Sequence, residues 1–249
     1  AVFEKLNVPI LNAIVLSSQS EKEWQNSNVG LDVTERSWQI AGAFSALAVL
    51  LYFYPREFLP KLRAEAGYQH FVLASAVVLS LLWSVQAGIK DGLSLHFLLL
   101  TSLVLCHGWR IAIWICLLPT LMLISFGKLP WQDAGLFALS GFILPGLFSY
   151  GVFLASYRYL SRHLFVYIFV AGFLAAALTI MLQIGLTSLW FGLEGRYSWR
   201  VIWDNYSLLS LLIWFPEALL NGSAITLMAI YRPHWLRTFY DREYLSPER

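Results

Sequence analysis

Charge is scarce in this chain. Only 13% of its 249 residues are Asp, Glu, Lys or Arg, where a soluble domain carries about 25%, so a water-facing surface could hardly be built from them. Cysteine is scarcer still, with Cys106 and Cys116 alone. Both fall in or beside long apolar stretches with no histidine at a paired spacing, and they read as small buried hydrophobes and not as a disulfide or a zinc site. The motifs of soluble catalysis are missing: no Walker A loop, no G-x-S-x-G elbow, no H-E-x-x-H helix and no C-x-x-C pair. The chain therefore does not use ATP by the P-loop route, nothing nominates a nucleophile, and it is not read as an enzyme. A net charge of +2, with Lys and Arg scattered over loops, gives no basic stripe for nucleic acid.

What the chain has is apolar sequence, 58% of it hydrophobic. Seven long stretches stand out: Ser37–Tyr54, His70–Ala87, Leu93–Cys106, Trp109–Phe126, Ala134–Tyr157, Leu164–Phe191 and Ser207–Tyr231. Most approach the ~20 residues that cross a hydrocarbon core, and backbone in lipid must satisfy its own hydrogen bonds, so each reads as a helix. The expected fold is all-α: a polytopic membrane protein of about seven transmembrane helices. Trp38, Tyr54, Trp109, Trp131, Tyr157, Trp190, Tyr206 and Tyr231 mark stretch ends, where amphipathic rings anchor at the lipid interface. Two stretches fit less well. Leu93–Cys106 and Trp109–Phe126 are short and separated only by His107-Gly108, and they are read as a tight hairpin in preference to a partly buried re-entrant pair.

Basic residues set an orientation. Arg56, Lys61, Arg63, Arg110, Arg158, Arg162, Arg232, Arg237, Arg242 and Arg249 share one side if seven helices cross in turn. Opposite lie Lys90, Lys128, Arg196 and Arg200, with Lys5, Lys22 and Arg36 of the N-terminal segment. Positive charge favours cytoplasmic loops, so the N-terminus is expected outside and the C-terminus in the cytoplasm. The domain plan that follows is an external segment over 1–36, a membrane domain over 37–231 and a cytoplasmic tail over 232–249. Leu6–Ser17 is too short to span and contains Pro9, which suits an interfacial or re-entrant helix.

Polar residues inside apolar stretches are the functional pointers, because burying them is expensive. Glu217 and Asn221, spaced i, i+4 after Pro216, share a helix face. They suit interhelical hydrogen bonding or contact with a substrate, with Gln183 and Gln86 as potential partners. His96 lies near the external end of its stretch, as a hydrogen-bonded helix-start residue or a metal ligand, and His70, His107, His163 and His234 fall at the other end and cannot converge with it. Gly42 and Ala46 have the small-xxx-small spacing that allows close helix approach, either inside the bundle or against a separate subunit.

The run Gly92-Leu93-Ser94-Leu95-His96-Phe97-Leu98, with Leu164–Phe169 and Pro216-Glu217-Ala218-Leu219-Leu220-Asn221-Gly222, resembles the CbiM/NikM-like permeases. The resemblance covers residues 70 to 245. It implies the substrate-capture subunit of an energy-coupling-factor transporter, which binds nickel or cobalt near the outer face as transported substrate and works with a transmembrane coupling subunit and two ATPase subunits. It implies His96 as a metal ligand, with Glu217 and Asn221 as candidate substrate contacts. The better-known members begin Met-His-Ile-Pro-Asp-Gly and supply the N-terminal amine and that histidine as further ligands. This sequence reads Ala1-Val2-Phe3-Glu4 and has no histidine before His70. The rival expectation is a non-transporting scaffold or assembly subunit of another membrane complex that keeps the fold without the metal.

Overall fold

The computed structural model describes residues 35–90, 93–208, 210–240 and 244. The expected interfacial helix at 6–17, nearly all of the polar run that follows it and most of the distal tail lie outside these residues. The chain divides into two compact units, 1–38 and 39–249. Of the first, residues 35–38 are described and are helical.

In the second unit α1 covers residues 39–52, followed by the short α2, Phe58–Ala64, and the 19-residue α3, Ala66–Ser84. A two-stranded antiparallel hairpin comes next, β1 Ala87–Lys90 and β2 Leu93–Leu95, with Ala87 opposite Leu95 and Lys90 opposite Leu93. Then come α4, Leu100–His107, α5, Trp109–Ile115, and α6, Leu117–Ser125. The long helices α7, Trp131–Tyr159, and α8, Leu164–Glu194, each contain a wider π turn, at Ala138–Ile143 and Tyr167–Leu174. A helical segment α9, Trp199–Ser207, leads into α10, Ser210–Tyr231.

Among the described residues, four helices are long and apolar enough to cross a membrane: α3, α7, α8 and α10. The protein is thus a multi-pass all-α membrane protein apart from its small hairpin. The α5–α6 pair, Trp109–Ser125, is apolar and shorter, about 25 Å at 1.5 Å per residue. Pro119 falls in the first turn of α6, where a missing N–H breaks no helical bond. Lipid-facing residues such as Phe44, Leu81, Leu212 and Leu227 are exposed to the surroundings of the bundle, because apolar tails take the place of water there.

The third apolar stretch differs from its expected form. Leu93–Cys106 is not one helix: it begins as β2, continues as irregular chain, and becomes helical only at Leu100. Eight residues of α4 are about 12 Å, less than half a hydrocarbon core. Every residue of α4 is buried.

Contacts between distant residues define two ends of the bundle. At the hairpin end, Lys128 after α6 donates to the Ser84 carbonyl at the end of α3, and Arg196 after α8 pairs with Asp133 at the start of α7 at 3.0 Å. At the tail end, the Arg237 and Thr238 amides donate to the Cys106 and Leu105 carbonyls at 3.2 and 3.3 Å, closing the end of α4. Residues 236–239 fold back onto the bundle, with Leu236, Thr238 and Phe239 buried, and the Tyr167 hydroxyl lies 2.8 Å from that of Thr238.

The small residues of α1 face inward. A Cβ on Gly42 would collide with Leu136 of α7, and one on Gly135 would collide with the backbone of Ala43. Backbone meets backbone at this crossing, and Ala46 is buried beside it. Gly42 thus serves packing within the unit and leaves no free docking groove at that position. Gly135→Val should lower the thermal unfolding temperature in detergent by an overpacking cost of about 1–3 kcal/mol. Gly185→Ala, where an added Cβ meets nothing within 4 Å, should leave it nearly unchanged. Equal melting of both variants, followed by size-exclusion of the heated samples, would contradict the close crossing.

Candidate functional site

The site is built on the segment between β2 and α4. After the hairpin the chain turns into the bundle through His96, Phe97, Leu98 and Leu99. Leu99 has φ 49°, in the left-handed region, which costs a residue with a Cβ roughly 1–2 kcal/mol. Its neighbours hold it there. The Glu217 carboxylate accepts the Leu98 N–H at 3.0 Å through Oε2 and the Leu99 N–H at 2.8 Å through Oε1. From the other side the Trp83 indole N–H donates to the Leu98 carbonyl at 3.2 Å.

Asn221, one turn beyond Glu217, completes the arrangement. Its Nδ2 donates to the Glu217 backbone carbonyl and to Glu217 Oε1, both at 2.8 Å. Its Oδ1 accepts the Ser102 N–H and hydroxyl, each at 2.9 Å. The chemistry fixes the amide's orientation, since only the nitrogen can donate to a carboxylate and only the oxygen can accept an N–H. The i, i+4 pair on α10 therefore caps a helix that starts inside the bundle, and the anionic group stands where the helix dipole is positive. Glu217 and Asn221 are 1% and 0% exposed, so water supplies none of these bonds. Gln183 and Gln86, the partners suggested by sequence, lie elsewhere.

His96 faces away from this cap. It is buried between the rings of Trp83 and Phe137, at centroid distances of 5.6 and 6.4 Å. Neither ring nitrogen has a hydrogen-bond partner among the described residues. A buried polar group left this way costs free energy unless something else meets it. The imidazole lines a cavity of about 600 Å³ at the hairpin end, together with Ser94, Gln86, Gln183, Thr187 and Tyr206. Gln183 Nε2 donates to the Thr187 hydroxyl at 3.3 Å, one turn along α8. One imidazole and several neutral oxygens are a donor set that suits a borderline divalent cation such as cobalt or nickel. Neither Glu217 nor Asn221 is among the lining residues.

Acidic groups reach the rim of this cavity under tight control. Asp133 lines it but is bridged to Arg196 at 3.0 Å and accepts from Gln39 at 2.9 Å, and Arg196 also pairs with Glu194 at 3.1 Å. This brace ties α1, α7 and the end of α8 together. The remaining histidines are apart from the site. His107 is buried near the tail end, its ring nitrogens 3.4 Å from the Tyr68 hydroxyl and 3.3 Å from that of Ser75. His163 caps the start of α8 by accepting the Phe165 N–H at 3.1 Å, and His70 and His234 are exposed.

Trp83, Phe137 and Thr187 belong to the site and carried no separable signal in the sequence, and Tyr206, expected as a lipid-interface anchor, is fully buried at the site instead. Aromatic residues are common throughout the chain, and Thr187 shows itself only as a hydroxyl one helical turn from Gln183. The cap on α4 was half-visible: the i, i+4 spacing of Glu217 and Asn221 gave their shared face, while their partners are backbone groups about 119 residues away.

The family description "CbiM: Cobalt uptake substrate-specific transmembrane region" matches residues 33–235, most of the chain. No curated protein and no solved structure matches it significantly.

Glu217→Gln tests the cap. A carboxamide offers one oxygen where three N–H groups need acceptors, and it turns an NH2 toward at least one of them, at about 1–3 kcal/mol for the unpaired group. Amide hydrogen exchange across residues 96–103 should accelerate in this variant while α7 and α8 keep their protection. Uniform acceleration over the whole bundle, or none, would contradict a local cap.

Proposed function

Because the chain belongs to the CbiM family of cobalt uptake substrate-specific transmembrane regions, we propose that it captures a divalent transition-metal ion, cobalt or nickel, in the cavity faced by His96. The observation that carries this reading is the buried imidazole with two unpartnered nitrogens, in a member of a metal-uptake family. In this reading the hydrated ion exchanges one water for an imidazole nitrogen, and Gln183, Thr187, Tyr206 and Ser94 hold the remaining waters through neutral oxygens. Glu217 and Asn221 contribute by fixing the backbone that carries His96. Their carboxylate and amide act through the segment 96–99. Family membership favours uptake over the scaffold alternative.

The chain works as one component of a transporter in the inner membrane, and a transmembrane coupling subunit with ATPase subunits supplies the energy this chain has no Walker A loop to harvest. It crosses the membrane seven times, the third crossing made by the segment 96–99 with α4. The hairpin end faces outside and the tail end faces the cytoplasm, following the distribution of Lys and Arg.

Titration of the purified protein with cobalt(II) and nickel(II) should show saturable binding that His96→Ala abolishes. Binding should weaken as pH falls, since proton and metal compete for one lone pair. Equal binding by wild type and His96→Ala would remove His96 from the site. Orientation is tested separately by single cysteines at Ser198 and Ser161, both exposed, in a background lacking Cys106 and Cys116. An impermeant thiol reagent on intact cells should label Ser198→Cys and spare Ser161→Cys, and the reverse pattern would invert the topology.

A further inference from the structure

A second cavity, about 660 Å³, opens at the tail end between α2, the start of α3 and the segment after α10. Metal capture makes no use of it. Its floor is aromatic: Phe71 lies 4.6 Å, centroid to centroid, from both His107 and Trp235, tilted by about 30° to each ring. The His107 nitrogens already face Tyr68 and Ser75.

The mouth is basic. Lys61, Arg232 and Arg237 line it from two different elements, with Glu57 and Glu65 as its carboxylates. Arg237 is paired with Glu57 at 3.4 Å. A hydrogen bond from its own backbone, helped by Arg237, holds the Glu57 carboxyl below its usual range, so that pair is charge-balanced. Lys61 and Arg232 form no ion pair among the described residues. Each is steadied over a ring instead, Lys61 Nζ at 4.5 Å from the Tyr68 centroid and Arg232 Cζ at 5.9 Å from that of Trp235. Such contacts orient a cation without neutralising it. With Glu65 also on the wall, the three cations outnumber the two carboxylates by one, and the two cations outside any ion pair, set over an aromatic floor, form a receptor for a phosphate attached to something apolar.

The position of the cavity selects the ligand. It sits where α3 begins and α10 has ended, at the level of α2, whose Phe58, Leu59 and Leu62 alternate with Lys61 and Arg63. A short helix of that composition between two spans lies in the membrane interface, and basic pockets at the ends of spans recognise anionic headgroups. We infer that this cavity binds the phosphate of an anionic phospholipid headgroup, with Lys61 and Arg232 donating to its oxygens and the Phe71–Trp235 face covering the glycerol backbone.

The test uses the full-length protein in phosphatidylcholine nanodiscs doped with phosphatidylglycerol, and measures lipids retained after gentle extraction by native mass spectrometry. Wild type should retain phosphatidylglycerol over phosphatidylcholine, and Lys61→Ala/Arg232→Ala should lower that retention roughly thirtyfold. Arg158→Ala/Arg162→Ala is the control: both residues belong to the same end, lie over Tyr159 and Tyr157, and are outside the cavity. Both variants replace exposed cations, so folding is checked simply by unchanged thermal melting. Equal retention of the two lipids by wild type, or an equal loss in the control, overturns the site. Displacement of phosphatidylglycerol by millimolar inorganic phosphate or glycerol phosphate assigns the cations to a soluble phosphate and overturns the lipid. Loss of a co-purifying coupling subunit from Lys61→Ala/Arg232→Ala, with no lipid selectivity, assigns them to a protein partner and overturns it equally.

Discussion

The Glu217 carboxylate stands at the start of a helix that begins inside a membrane bundle, and much of the site depends on that placement. A helix beginning in water leaves its first N–H groups to the solvent, but α4 has every residue buried and must find acceptors in the protein. Glu217 and Asn221 take the N–H groups of Leu98, Leu99 and Ser102. The anion is stabilised in turn by three N–H donors and by the positive end of the helix dipole. Each side of this arrangement makes the other tolerable in a low-dielectric interior.

Several features follow from the cap. With Leu98 and Leu99 fixed, the left-handed turn at Leu99 is held, and the chain can pass from hairpin to half-helix without a glycine. Trp83 fastens the same segment from α3, so it is gripped by two spans. His96, two residues upstream of the cap, is thereby presented to the cavity with Trp83 and Phe137 beside it. Discontinuous helices whose ends lie at membrane depth are a recurring way to expose backbone and side chains to a substrate. Here the discontinuity presents an imidazole, while the charged group that makes it possible is used up in holding the backbone.

Hydropathy made the long helices legible: α3, α7, α8 and α10 lie within a few residues of their expected stretches, because length and apolar composition are what a bilayer selects. It misread Leu93–Cys106, since a half-helix surrounded by other helices needs the same apolar residues as a lipid-facing span. No proline or glycine marks the break, and a left-handed Leu99 has no sequence signature. Gly42 and Ala46 were legible as a close-approach surface, but their partner on α7 is a contact at long sequence separation. His96 stood out as a polar residue in an apolar run. Its surroundings did not, because they come from α3, α7, α8 and α9, and a sequence carries no sign of which aromatic or hydroxyl will be brought to it.

The central claim is that a carboxylate with no atom in the cavity sets the affinity of the imidazole that lines it. Cobalt(II) titration of wild type and Glu217→Gln, followed by the visible absorption of the bound metal, tests this most directly. Loss of one of the carboxylate's hydrogen bonds, at about 1.4 kcal/mol, should weaken cobalt binding by roughly tenfold, and the remaining signal should still vanish in His96→Ala. Cobalt binding by Glu217→Gln with unchanged affinity and spectrum would contradict it.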